Sequence, residues 1–172
     1  MRGQNLFDEL VAGLGTRDHG ANLFFDVMLV HPCSGDGLHH GGTEYFKPQR
    51  FEGGGMRYLR FRRWLTEMKA TVEGAQGLGV VYFEEVRRHM GVDAAHVYGD
   101  LLATLTAWCE HHQIPYQGVP VGTIKKFATG RGNAGTDEMI AAMRARGHSP
   151  TDDNEADALA LLHWALAQEG VR

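Results

Sequence analysis

Cysteine is scarce in this sequence: Cys33 and Cys109 are the two it has. They stand far apart and match no metal-binding or redox spacing, which excludes a zinc ribbon and a disulfide framework. Both are read as reduced thiols, with Cys109 packed on a helix. Long apolar runs are missing as well. No stretch approaches the ~20 residues that span a bilayer. The opening segment MRGQNLFDELVAGLG carries two early acids and no clear signal-peptide cleavage site. The expectation is a cytoplasmic protein with no membrane contact. Repeats, low-complexity tracts and obvious linkers are absent too, so residues 1–172 are expected to form a single domain with a sizeable core. Nor is there a basic excess. The net charge of -4 does not by itself suggest a nucleic-acid binder.

What is present is an ordinary soluble composition, 43% hydrophobic and 22% charged, with an uneven placement of charge. Basic residues gather at Lys47, Arg50, Arg57, Arg60, Arg62, Arg63 and Lys69, then at Arg87 and Arg88, then at Lys125, Lys126 and Arg131. Acids gather at Asp152, Asp153, Glu155 and Asp157. Separate basic surfaces around one acidic knot suit a metal enzyme that cuts phosphodiesters. On charge alone, solvated helix faces are the simpler account.

The pattern along the chain predicts three strands, at LVAGLGT, at NLFFDVMLV (22–30) and at GLHHGGTEYF (37–46), the last hairpinned to the second. FEGGG (51–55) reads as a flexible break. In MRYLRFRRWLTEMKATV, Leu59, Trp64, Leu65 and Met68 share one helical face. GLGVVYFEEV (77–86) is a buried strand ending in acids. DAAHVYGDLLATLTAWCEHH is a long helix with Tyr98, Leu101, Leu102, Leu105, Trp108 and Cys109 as its apolar stripe. A short strand lies in PYQGVPVG, and TIKKFATGRGNAG is basic and punctuated by glycine. DEMIAAMRAR is a helix stopped at Gly147. SPTDDNEADALALLHWALAQ is the last helix, with Ser149 as N-cap, Pro150 at its first position and Asp152 in its first turn. This order predicts an α/β fold with a mixed sheet, an antiparallel unit joined to parallel strands by helices.

Two acidic sites stand out. Glu84 and Glu85 end a strand, where function gathers in open α/β sheets. Strand alternation lets only one of them face a given site. On the last helix, Asp153 and Asp157 are i,i+4 neighbours and Asn154 and Asp157 are i,i+3. Two carboxylates beside the apolar run ALALL would repel unless a cation sat between them. Phosphodiester hydrolysis gives a use for such a cluster. Two Mg²⁺ ions about 4 Å apart can activate a water and stabilise the leaving oxygen, and Mg²⁺ takes oxygen ligands. The plainer account is that acids in the first turn of a helix stabilise its dipole.

The pieces RFEGGGMRYLRFRRWL, VVYFEEVRRHMGVDAAHVYGDLLATLTAWCEHHQIPYQGVPVGTIKKFATGRGNA and SPTDDNEADALALLHWAL together resemble the phage branch of the RuvC-type crossover junction endonucleases, or Holliday junction resolvases. The resemblance runs from Gly42 to the end. It implies an RNase H-like fold, a mixed sheet flanked by helices, with Mg²⁺ (or Mn²⁺ in its place) as cofactor. It also implies branched DNA as substrate and a homodimer that sets two sites on opposing strands. Glu84 matches the strand-end metal ligand and Asp157 the aspartate of the ADAL motif. Asn154 stands where relatives often carry Asp or His, and Asp153 supplies a charge beside it. Lys125 and Lys126 match a basic pair expected to contact phosphates, and Arg131, Arg60, Arg63 and Arg87 extend that surface. Residues 1–35 depart from the pattern: Gly13 stands where the family carries its first-strand aspartate. Asp26, in LFFDVMLV, is the candidate replacement, because a lone Asp among apolar strand residues needs a cation or a partner. Otherwise the site is incomplete and the protein binds junctions without cutting them.

Other motifs are weaker. GRGNAG (130–135) fits G-x-G-x-x-G, but TIKKFAT before it is basic rather than a buried strand, and too little chain follows for a dinucleotide fold. It reads as a basic loop near phosphates or a plain turn. His39-His40 and His111-His112 read as exposed polar pairs, since adjacent residues point apart. The glycines at 53–55 lack the Lys-Ser/Thr of a P-loop and read as a hinge before the arginine-rich helix. A nuclease of the same fold acting on RNA–DNA hybrids remains compatible with all of these residues.

Overall fold

The computed structural model describes residues 11–18, 21–30, 46, 48–72, 78–87 and 91–169, with the backbone alone for 11–18, 21–26, 28–30, 71 and 72. The expected third strand (37–46) lies outside them except for Phe46, as do Cys33, His39, His40, Lys47 and Arg88. The described strands are β1 (Val11–Asp18), β2 (Ala21–Val30), β3 (Val80–Glu85) and β4 (Tyr116–Pro120). The helices are α1 (Gly55–Val72), α2 (Val92–His112), α3 (Val121–Thr129), α4 (Thr136–Ala145) and α5 (Asp153–Glu169).

The strands form one mixed sheet in the order β1-β2-β3-β4. The β1–β2 and β2–β3 pairs are antiparallel and β3–β4 is parallel. The mixed α/β sheet foreseen from the sequence is therefore present. Strand β3 alternates between two cores. Val81 and Phe83 pack with α1 and α2, whereas Tyr82 packs with α3, α4 and α5. Burial on both faces explains why VVYF reads as a continuous apolar run. Gly118 lies opposite Phe83 on β4, where a Cβ would stand 3.0 Å from the phenyl ring.

On α2 the foreseen stripe is the buried one, with Leu102 half-buried at its edge. On α1 the stripe shifts. Phe61, Trp64 and Leu65 are buried, with Met68 and Tyr58 packed beside them, while Leu59 is 40% exposed. The expected inward Leu59 is thus wrong, because at 100° per residue it lies about 200° round from Phe61.

Helix α5 starts later than Ser149 would set it. Asp152 caps it, accepting the Glu155 N–H at 2.9 Å, and the Glu155 carboxylate takes the Thr151 N–H at 2.8 Å. A carboxylate is a better N-cap than the upstream serine here because it also opposes the helix dipole. Pro150 is buried before the helix rather than inside it. Helix α4 ends as foreseen. Gly147 has φ 91°, and the His148 N–H returns to the Met143 carbonyl at 3.2 Å. TIKKFAT is helical, so the dinucleotide reading of GRGNAG fails in its context. No helix among the described residues is long and apolar enough to cross a membrane.

Candidate active site

Glu84 follows Tyr82 by two residues and so shares its face of the sheet, the face covered by α3 and α5. Glu85 faces the other way, half-buried, with Arg87 at 3.2 Å. The end of β3 is held by Tyr98 of α2. Its buried hydroxyl donates to the Glu84 carbonyl at 2.9 Å and accepts the Val86 N–H at 3.0 Å. It thereby replaces ladder bonds at the point where the strand stops.

Because β3 and β4 are parallel, their carboxyl ends lie side by side, and α3 starts directly after Pro120. One turn into α3, Lys125 meets the acidic residues. Its Nζ donates to the Ala134 carbonyl at 3.1 Å and attracts both Glu84 and Asp157. Asp157 lies in the second turn of α5, which packs on α3 and β3.

The electrostatics follow from burial. Glu84 is 9% exposed, and burial, with repulsion from Asp157, pushes its carboxyl up to about 7 against the pull of Lys125. Burial also pushes Asp157 up to about 6, with Lys125 opposing and Asp153 adding repulsion. Oδ1 of Asp157 is buried with no hydrogen-bond partner. A buried and a half-buried carboxylate beside one ammonium carry surplus negative charge that a proton or a cation must neutralise. Asp153 is exposed and accepts from Asn154 Nδ2 at 3.3 Å, which leaves the Asn154 amide oxygen as the acceptor.

This donor set fits a hard divalent cation. Glu84, Asp157, Asp153 and the Asn154 oxygen offer oxygen ligands of the kind Mg²⁺ and Mn²⁺ take. Among the described residues, however, no group of three or more carboxylate, imidazole or thiol side chains is gathered closely enough to hold an ion. Asp26 is described by its backbone. It pairs with Gly13 on β1 and lies one residue beyond the Val27–Phe83 pair that joins β2 to β3. Position 26 therefore stands on the strand next to Glu84, and Gly13 stands one strand farther out.

The expected DNA-contacting residues divide. Lys125 sits at the carboxylates, whereas Lys126 and Arg63 are exposed. Arg60, Arg87 and Arg131 have carboxylate partners, Glu52 at 2.6 Å, Glu85 at 3.2 Å and Glu138 at 2.7 Å. Cys109 is buried and its thiol is pushed up to about 12, as a packed, unreactive cysteine should be. His111 is exposed, but His112 is half-buried against Trp108, with ring centroids 4.7 Å apart. Sequence reading missed Tyr98 as a clamp, since its partners are 12 and 14 residues away. It also missed the pairing of His148 and His163, whose Nε2 atoms are 2.6 Å apart.

No family model matches the sequence, and no curated protein matches it. Solved structures do. Thermus thermophilus RuvC aligns with a TM-score of 0.62 at 19% identity, over 94% of this chain and 96% of that one. T. thermophilus RuvC in complex with Holliday junction substrate gives a TM-score of 0.64 at 19% identity, with the same coverage. The likeness extends over nearly the whole of both chains and is one of fold: this chain has a RuvC-like fold.

Proposed function

We propose that this chain is a divalent-cation-dependent endonuclease that cuts branched DNA of the Holliday-junction type. The observation that carries the reading is the pairing of buried Glu84 with half-buried Asp157, whose buried Oδ1 has no hydrogen-bond partner, with Lys125 beside them. The fold it shares with a protein solved on a Holliday junction supports the substrate class. Asp26 is taken as the third carboxylate, because β2 adjoins β3 and β1 does not. Gly13 on the outer strand then has no part in the site.

Glu84, Asp157, Asp153, Asn154 and Asp26 would hold Mg²⁺ or Mn²⁺. Bound there, such ions supply an activated water and charge stabilisation at the cut phosphate. The rest falls to the protein. The strand end fixes Glu84 through Tyr98, so the carboxylate is positioned before the substrate arrives. Lys125 offsets charge between the carboxylates and lies where a phosphate would approach them. Lys126, Arg63, Arg60, Arg87 and Arg131 form the wider surface for the DNA backbone. A homodimer would place two such sites on opposing strands.

The test is cleavage of a synthetic four-way junction in Mg²⁺ by wild type, Asp26→Asn and Asp157→Asn. The expected result is cutting by wild type alone, with junction binding kept in all three. Cutting by Asp157→Asn would move the active site elsewhere. Binding without cutting by wild type would make the protein a junction binder rather than a nuclease.

A further inference from the structure

Phe51 is 94% exposed, far more than any other large apolar side chain among the described residues. A loose loop tip would explain that simply, but Phe51 is not on one. The Glu52 N–H bonds the Gln49 carbonyl at 3.0 Å, so Arg50 and Phe51 occupy the two corners of a closed turn. Glu52 pins this turn. Its carboxylate accepts the Gln49 N–H at 2.7 Å and takes Arg60 on both oxygens at 2.6 and 2.7 Å. The turn is thus tied to the basic side of α1, where Arg63 stands one helical turn beyond Arg60. The Arg50 guanidinium lies 5.6 Å from the Phe51 ring centre.

The glycines that follow answer no internal demand. None of Gly53, Gly54 and Gly55 has a left-handed backbone. A Cβ on any of them would meet nothing within 4 Å. The backbone over 53–55 thus adds no bulk near the turn, and the phenyl ring, 94% exposed, is open to the approach of a flat group. A ring held outward on a pinned turn, beside arginines and bare backbone, matches the stacking platforms that bind unpaired bases. The arginines supply the complementary charge for the phosphates on either side.

We infer that Phe51 stacks on an unpaired nucleobase of DNA bound along the basic side of α1. The inference rests on the reading of this chain as a protein of branched DNA. It adds a recognition element separate from the carboxylate site.

The experiment uses Phe51→Ala and Phe51→Trp, without divalent metal so that nothing is cut. The probes are a four-way junction, a linear duplex of equal length and a thymidine oligonucleotide. Phe51→Ala should bind the junction about tenfold more weakly, equivalent to about 1.4 kcal/mol, while its duplex affinity changes less than twofold. In Phe51→Trp, the new exposed indole should be quenched by the junction and by the oligonucleotide. Trp64, Trp108 and Trp164 are buried and give a steady background. Equal junction binding by Phe51→Ala, or an unquenched indole in a bound complex, overturns the inference and leaves the nuclease reading intact. A change of oligomeric state in Phe51→Ala also overturns it, since the ring would then serve a contact between proteins. Failure of wild type to bind either branched or single-stranded DNA overturns the nuclease reading, and this inference with it.

Discussion

Glu84→Gln should stabilise this protein at alkaline pH when divalent ions are removed, although it deletes the central residue of the site. The Glu84 carboxyl rises from the ordinary 4.5 to about 7, because the charged form is buried and repelled by Asp157. A rise of that size corresponds to about 3 kcal/mol, at about 1.4 kcal/mol per tenfold change in proton affinity. The folded state binds this proton more tightly than the unfolded chain does. Its contribution is therefore complete below about pH 4.5 and is lost as pH rises through about 7. Asp157, raised to about 6, changes in the same sense. In chelator, wild type should therefore lose stability relative to Glu84→Gln as pH rises from 5 to 7, while His163, held below its ordinary value by burial, acts in the opposite sense in both proteins and cancels from the difference. Gln matches the protonated acid in shape and charge, so Glu84→Gln should equal wild type at pH 5 and exceed it at pH 8. At about 2–4 °C per kcal/mol for a chain of this size, the gap in Tm at pH 8 should be about 6–12 °C. Thermal unfolding in chelator from pH 5 to 8 measures it. Added Mg²⁺ should close the gap by stabilising wild type alone, through binding to the folded state. A difference between wild type and Glu84→Gln that does not change with pH, or a Glu84→Gln protein less stable than wild type at pH 8, would refute the charge argument.

Tyr98→Phe should cost about 1–3 kcal/mol, because it leaves the Val86 N–H and the Glu84 carbonyl without their shared partner. Urea unfolding at pH 7 checks this, and a loss under about 0.5 kcal/mol would mean the strand end does not need the clamp. Junction binding should weaken steeply with salt, and Lys126→Ala should lower the log–log slope by about 1. Because Arg60, Arg87 and Arg131 already have carboxylate partners, each should contribute less to that slope than Lys126. Affinity that stays flat from 50 to 200 mM salt would remove the proposed basic surface.

The readability of each element in the sequence follows from how local its cause is. The α2 stripe was legible because one helix face meets one core, so period and burial coincide. On α1 the arginines flank the apolar face on both sides, and Leu59 and Phe61 cannot be ranked by pattern alone. Packing decides, through Phe46 and Trp64 against Phe61 at 5.5 and 6.3 Å between ring centres. The start of α5 was misplaced because Ser149 and Asp152 are both good caps. Only the bond to Glu155 N–H chooses between them. Glu84 and Asp157 were legible as chemistry, since each is an acid beside an apolar run. Their meeting came only from the family resemblance, for it depends on α5 packing on β3, a contact across more than 70 residues.

The question of Gly13 shows why strand order matters more than motif position. In the sequence, a glycine in place of an aspartate reads as a lost ligand. That inference assumes the strand bearing it lies beside the strand bearing Glu84. In this sheet β2 lies there instead, and Gly13 is its neighbour on the far side. Register then carries Asp26 to the position next beyond Val27–Phe83, level with the strand end that Tyr98 holds. An acid set in the middle of an apolar strand costs several kcal/mol unless it is paired or binds a cation. In the proposed site, where Glu84 and Asp157 share one ammonium, a carboxylate from Asp26 would add to the charge that a bound cation offsets. Asp26→Asn should therefore lower divalent-ion affinity as well as cutting, by at least tenfold in a calorimetric titration with Mn²⁺. An unchanged affinity would separate Asp26 from the site and return the first-strand position to Gly13.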